Sequence, residues 1–317
     1  MPEVCHRWLE RRERERFLDL VEAAFGERDL FARYLDLDPA LDYRDTLVAS
    51  VGERLVGCVQ IFSKRIRLRG RAVSLGGIGS VATHPDYERR GIATQLLRLA
   101  IETMQHRGML LSLLFTGRTT FYERLGWIAV PRRALALRAS ATPAPGARPF
   151  APADLPAVRQ LYDAYTRHCE TTTVRDTRYW KAQLRYAGAP DEDFRVVERA
   201  GHIVAYARRI VLEGHALIME QARAQDAAAD LATLVGSLAP ADSPLIVPRA
   251  PDPALEVGLR ECCERLDAVE WPDTMWRVLD RAALESLSQG DPGASDAELL
   301  RDLVGGERAV YWTSDRF

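Results

Sequence analysis

Chemistry in this chain gathers at Glu88-Arg89-Arg90-Gly91-Ile92-Ala93. These residues follow a short β-compatible run, 79–83, which ends before Pro85 because proline cannot donate to a strand ladder. They open an amphipathic pattern: Ile92, Ala93, Leu96, Leu97, Ala100 and Met104 recur at helical spacing, and Gly108 is placed to end the helix. The first N–H groups of a helix lack intrahelical partners and lie at the positive end of its dipole. Gly91 and Ala93 add almost no bulk there, and Arg89 and Arg90 add charge, so a pyrophosphate can rest on the main chain. A solvated basic turn before an ordinary helix has the same composition. Downstream, residues 110–115 form a continuous apolar run of the kind found in buried parallel strands. Phe121-Tyr122-Glu123-Arg124-Leu125-Gly126-Trp127 then predicts a short helix closed by glycine.

In this order and spacing, residues 76–130 resemble the acetyl-CoA-binding core of the Gcn5-related N-acetyltransferases (GNATs). The family's loop is usually written Q/R-x-x-G-x-G/A. Gly91 and Ala93 match it, while Glu88 departs from its first position. The stretch is most similar to the tandem subgroup typified by the mycobacterial "enhanced intracellular survival" acetyltransferases. The resemblance implies an α/β (α+β) protein with two GNAT folds, each a mixed, mostly antiparallel sheet flanked by helices, and a short C-terminal tail. It also implies acetyl-CoA as co-substrate.

Acetyl transfer to an amine requires a held thioester, a neutral amine, donors for the oxyanion and an exit for the thiolate. The resemblance assigns the thioester to Val81, Ala82 and Thr83, in a strand that splays at a bulge and offers its free backbone groups to the pantetheine arm. An N–H at Val81 or Ala82 then faces the thioester oxygen. Glu88, Arg89, Arg90, Gly91, Ile92, Ala93 and Thr94 are implied at the pyrophosphate, and Gly117 and Arg118 on the cofactor's other side. Tyr122 is the implied general acid, since a phenol of pKa about 10 can donate to a thiolate of roughly 8.5. The other reading of Tyr122 is a core tyrosine beside Phe121. The subgroup's base is a terminal carboxylate on phenylalanine, here Phe317. An α-carboxyl of pKa about 3.5 is a weak base unless desolvation raises it. A substrate amine that enters neutral needs no base, and the aromatic tail also reads as a frayed terminus.

Composition sets bounds on the rest. With 317 residues, 47% hydrophobic and 28% charged, the chain suits a globular protein of two ordinary domains. A net charge of −2 and a pI of about 6.3 give no bulk case for nucleic acid. Lys64 and Lys181 are the only lysines. Cys5, Cys58, Cys169, Cys262 and Cys263 show no C-x-x-C or zinc-like spacing, which predicts free thiols and no metal. No apolar run approaches membrane-spanning length, and the first ten residues lack an apolar signal core. A cytoplasmic protein without membrane or nucleic-acid partners is therefore expected. The acceptor is expected to be a small-molecule or peptide amine. Acetylation of a protein amine and non-catalytic acyl-CoA binding are the other readings. The subgroup's tendency to form hexamers extends the expectation to a homo-oligomer.

The surrounding elements are predicted as follows. Residues 13–25 form a helix with Phe17, Leu18, Val21 and Phe25 on one face, and 28–35 a second. Their acids Glu22, Glu27, Asp29 and Asp36 either attract a cationic amine or form a solvated face. Residues 45–51 and 54–62 form a hairpin, 65–75 a further extended segment, and 132–138 the last strand of the first domain. The Pro/Gly-rich stretch 142–152 reads as a linker. The pattern then restarts with a helix at 154–166, a hairpin at 194–199 and 202–210, and a strand at 216–220. Ile203-Val204-Ala205-Tyr206 stands where Leu55-Val56-Gly57-Cys58 stood, which suggests an internal duplication. No glycine turn follows the second strand, so this copy is expected to be degenerate. Residues 244–247 predict a strand, 252–266 a helix and 267–279 a strand pair. Trp271, Trp276, Tyr179 and Trp180 read as core packing. A second linker at 289–295 precedes a helix at 296–304. The predicted division is a catalytic domain at 1–141, the linker 142–152, a second fold at 153–282, and a tail at 283–317 that reaches back toward the active site. That tail is too short for the lipid-carrier-like domain that ends the tandem relatives.

Overall fold

The computed structural model describes residues 3–139, 143–186, 192–288 and 293–317. The first half contains β1 (Cys5–Trp8), α1 (Arg14–Phe25), α2 (Arg28–Leu37), β2 (Thr46–Val51), β3 (Arg54–Leu68) and β4 (Arg71–Thr83). It continues with α3 (Ile92–His106), β5 (Leu111–Phe115), α4 (Thr119–Glu123), β6 (Ile128–Ala129) and β7 (Arg132–Arg138). The second half holds β8 (Ala147–Pro149), α5 (Leu155–Thr166), α6 (Thr177–Tyr186), β9 (Asp193–Arg199), β10 (His202–Leu212) and β11 (His215–Arg223). It ends with α7 (Ala228–Ser237), β12 (Leu245–Pro248), α8 (Pro253–Cys262), β13 (Arg265–Trp271), β14 (Thr274–Val278), α9 (Arg281–Glu285) and α10 (Asp296–Val304).

Two seven-stranded sheets result, in the orders β1-β2-β3-β4-β5-β14-β6 and β13-β7-β12-β11-β10-β9-β8. Each is antiparallel except for one short parallel pair, β4 with β5 and β11 with β12. This is the tandem, mixed, mostly antiparallel α/β architecture expected from the sequence. The two sheets also repeat a local order: a hairpin, a long strand, a helix, then a strand parallel to the long one. The helix in the first repeat, α3, buries Ile92, Leu96, Leu97, Ala100, Ile101 and Met104. Each of these side chains other than Ala100 stabilises the fold by about 1.5–3 kcal/mol. Its close seat depends on Gly57 in β3, where a Cβ would lie 2.6 Å from the Ile92 side chain.

Several predicted elements sit elsewhere. The segment 65–75 is not one extended run. Arg69 and Gly70, at φ +48° and +72°, turn the chain between β3 and β4, the left-handed pair that a tight hairpin turn needs. The predicted helix 252–266 ends at Cys262, and Arg265 onward is β13. The 142–152 linker contains β8, which pairs with β9; its residue 142, like residues 289–292 of the second linker, lies outside the described residues.

The largest departure concerns residues 132–138. They do not complete the first sheet. As β7 they enter the second, between β13 and β12. In exchange β14, from the second half, enters the first sheet between β5 and β6. The two exchanges form one ribbon. Residues 132–138 pair antiparallel with 265–271 in one sheet, and Ile128 and Ala129 pair with Trp276 and Met275 in the other. The ribbon changes sheets at Pro131 and Pro272, where the missing N–H breaks the ladder. Beside that break Arg132 grips Asp273 through two hydrogen bonds of 2.9 and 2.6 Å. The Thr274 hydroxyl donates to the Val130 carbonyl at 2.6 Å.

Candidate active site

The first sheet opens where its parallel pair stops. β4 and β5 are in register only from Leu75–Leu111 to Ile78–Leu114. β4 runs on to Thr83, and among the described residues no strand pairs with that side of 79–83. A bulge lies in the same place. Cys58 faces Ala82 and Gln60 faces Gly79, so Ser80 and Val81 together oppose Val59. Ser80 takes φ +51°, and its hydroxyl donates to the Gln60 amide oxygen. The bulge bends the strand away from its neighbour and turns the backbone groups of 79–83 toward the opening. Val81 and Thr83 are half-buried at this opening, while Ala82 between them is buried.

At one end of the opening stands the N-terminus of α3. Residues 85–87 make a single 3-10 turn, after which Arg89 and Gly91 both enter the left-handed region at φ +59° and +77°. Gly91 caps the helix, and no side chain bonds to its first-turn amides. Nothing lies within 4 Å of where a Gly91 Cβ would be. The Glu88 N–H is used by the Pro85 carbonyl, while the main chain of 89–94 presents open N–H groups, as a helix start without a side-chain cap does. The two arginines behave differently. Arg90 turns back, donating to the Asp86 carbonyl at 2.8 Å with its guanidinium 4.8 Å from the Tyr87 ring centre. Arg89 is exposed and has no ion pair among the described residues. Glu88 is likewise exposed on the loop. Ile92 is buried, whereas Ala93 and Thr94 stay half-buried at the surface of the turn.

Across the opening, β5 passes into Gly117 and Arg118, both exposed. The Arg118 N–H is turned onto the Thr116 hydroxyl at 2.9 Å. Tyr122 follows on α4, its ring edge-on to Phe121 at 4.9 Å and to Trp127 at 6.1 Å. It packs on the same apolar cluster as Val81 and Ile92. Among the described residues its hydroxyl has no hydrogen-bond partner. Burial pushes the phenol up to about 12, and Arg118 pulls it partly back.

The last residue of the sequence closes the other side. A Cβ at Gly77 would overlap the Phe317 ring, and one at Gly79 would sit 3.4 Å from the Phe317 carbonyl carbon and oxygen. The ring stacks on Phe62 at 5.2 Å and meets Phe115 edge-on at 5.5 Å. The main-chain carboxyl of Phe317 therefore lies over Gly79, one residue from the bulge. The tail is not frayed, since Val310, Tyr311, Trp312, Thr313, Ser314 and Asp315 are all buried.

Sequence reasoning missed the residues that hold this tail. Gly77 and Gly79 carried a signal, since glycine within a strand marks close backbone approach. Lys64, Arg175 and Asp315 carried none. The acids of α1 and α2 are partly committed: Asp36 pairs with Arg14, and Glu22 accepts the Arg28 N–H at 2.9 Å. Among the described residues no cluster of His, Cys, Asp and Glu could hold a metal ion. No helix there is long and apolar enough to cross a membrane.

The first sheet is thus split at a bulged, glycine-rich strand, with the N-terminus of α3 at the mouth of the split. Residues 6–130 match the family model of the acetyltransferase (GNAT) domain. The whole chain has the tandem GNAT fold. It superposes on Eis1 from Mycobacterium abscessus with a TM-score of 0.63 at 20% identity, covering 92% of this chain and 78% of that one. A GCN5-related N-acetyltransferase from Kribbella flavida gives a TM-score of 0.66 at 19% identity, with 92% and 75% covered. A probable N-acyltransferase of unknown function from Enterococcus faecalis V583 gives 0.68 at 17% identity, with 87% and 73% covered. No curated protein matches the sequence.

Proposed function

We propose that this chain moves an acetyl group from acetyl-CoA to a primary amine by direct attack in a ternary complex. The observation that carries the reading is the meeting, at Gly79, of the opened β4 edge and the Phe317 carboxyl. Backbone amides of 89–94 would hold the pyrophosphate, with Gly117 and Arg118 opposite. Residues 81–83 would align the pantetheine, and an N–H of Val81 or Ala82 would stabilise the thioester oxygen as charge develops on it. The amine nitrogen attacks the carbonyl carbon, the C–N bond forms and the C–S bond breaks. The amine's proton passes to the Phe317 carboxylate. Tyr122 hydrogen-bonds to the departing sulfur. Its raised pKa makes full transfer to a thiolate of roughly 8.5 uphill, so the phenol acts mainly by stabilising the charge as it forms.

The test is amine-dependent thiol release, screened over aminoglycosides, polyamines, amino acids and lysine peptides. Tyr122→Phe is expected to lower kcat about 100-fold or more, with acetyl-CoA affinity unchanged by calorimetry. Unaltered turnover removes Tyr122 from the chemistry. Tight acetyl-CoA binding with no release on any amine would make the chain a binding protein.

A further inference from the structure

The second sheet also opens beside its parallel pair. β11 and β12 pair only at Ala216–Leu245 and Leu217–Ile246, and β10–β11 carries a register shift at Arg208/Arg209, so Met219 is the extra residue. The place corresponds to the bulge that opens the first cleft, but here the opening is filled. Trp312 and Val310 pack in one cluster with Tyr206, Ala222 and Ala250. The Ser314 hydroxyl donates to the Glu220 carboxylate on β11. Ala309, Val310, Tyr311 and Thr313 line a small cavity together with Leu217, Ile218, Ile246 and Pro248. The loop before α7 is tied up as well. Arg223 donates to the Ala224 and Gln225 carbonyls at 2.9 and 2.6 Å and pairs with Asp252 at 2.6 Å.

Charge is concentrated where the tail leaves this opening. Lys64, Arg175 and Arg208 face Glu192, Glu220 and Asp315. The Arg175, Glu220 and Asp315 side chains are all 0% exposed. Arg175 bridges its partners, with Nη2 2.7 Å from Glu220 and 2.8 Å from Asp315, and Nε 2.9 Å from Asp315. Tyr179 donates to Asp315 at 3.0 Å, and Gln183 to the Ser314 carbonyl at 2.7 Å. Lys64, on β3 of the first sheet, donates to the Asp315 carbonyl and lies 5.0 Å from the Phe317 ring centre. Burying paired charges costs as much as it returns in stability, and its best-attested use is to fix one register.

We infer that the second fold is a receptor for the chain's own residues 310–317, and that Arg175, Glu220 and Asp315 are positioning residues that set Phe317 at the first cleft. A former ligand opening has become the seat of a peptide segment, so one fold supplies the cofactor site and the other aims the tail. The catalytic consequence rests on the reading of the first cleft given above, whereas the seating of the tail does not.

The experiment compares full-length protein with its Asp315→Asn variant. It measures amide hydrogen exchange over 310–317, acetyl-CoA affinity, and kcat with the amine found by the screen. Loss of a hydrogen bond between charged groups opens a local structure about 10- to 100-fold more often. Exchange in 310–317 should accelerate by about that factor, kcat should fall, and acetyl-CoA affinity should hold. A merely structural role would instead weaken affinity and turnover together. Exchange equal to the parent's overturns the latch. Faster exchange with unchanged kcat supports the latch and removes Phe317 from the chemistry. If Asp315→Asn fails to fold, Ser314→Ala decides by the same exchange measurement. It deletes only the hydroxyl contacts to Glu220 and Arg175, and unchanged exchange again overturns the proposal.

Discussion

Gly77 and Gly79 matter for the atoms they lack. In a strand a missing side chain weakens packing unless something uses the space, and here Phe317 uses it. Gly77→Ala should displace the Phe317 ring while leaving the opened edge at 81–83 and the α3 turn intact. The expected result is a fall in kcat of at least tenfold with acetyl-CoA affinity within about twofold, because only positioning is lost. Equal losses in both would place Gly77 in the cofactor site instead. The helix start after Gly91 and the short helix carrying Tyr122 were readable as structure because their signals are local: small residues where a helical period begins, and a glycine just after a short turn. The glycines were visible but unexplained, because the ring they admit is supplied by the far end of the chain. Arg175 and Asp315 were not readable, since a lone charged residue in sequence gives no sign that it will be buried and paired.

At the scale of elements, α3 does two jobs with opposite faces. One stripe packs the sheet, and the N-terminal end keeps its amides open because the N-cap, Gly91, has no side chain to bond them. Gly91→Val tests the second job. The space around Gly91 is empty, so the strain comes from a β-branched residue at positive φ, a cost of about 1–2 kcal/mol. Thermal melting should register that loss. Acetyl-CoA affinity should fall about tenfold or more as the loop turns away, while kcat at saturation changes less. An unchanged affinity would mean the pyrophosphate rests elsewhere. The helices and most strands were legible because period and capping are local signals. The sheet that a strand joins is a different kind of fact. Residues 132–138 alternate as any half-buried strand does, and nothing in that alternation separates the first sheet from the second. The helix predicted at 252–266 ran on through Leu266 because Leu255, Leu259 and Leu266 nearly keep a helical period. The chain instead turns into β13, paired with β7 along its whole length.

For the whole molecule, the strand exchange makes the two folds one cooperative body. Met275 and Trp276 of β14 are buried in the first half's core clusters, and β7 lends Leu135 and Leu137 to the second. Cutting the chain in the 142–152 segment therefore leaves each fragment without the strand that lies next to one edge of its sheet. Residues 1–141 lose the strand that pairs with β5 and β6, exposing Leu113, Leu114 and Trp127. Burial of a few such side chains is worth about 1.5–3 kcal/mol each, comparable to the entire net stability of a domain. Expressed alone, residues 1–141 should aggregate or lack a cooperative unfolding transition in circular dichroism. Co-expressed with residues 143–317 they should form a soluble one-to-one complex that binds acetyl-CoA. A fragment 1–141 that unfolds cooperatively and binds acetyl-CoA by itself would show that the exchanged strands are dispensable.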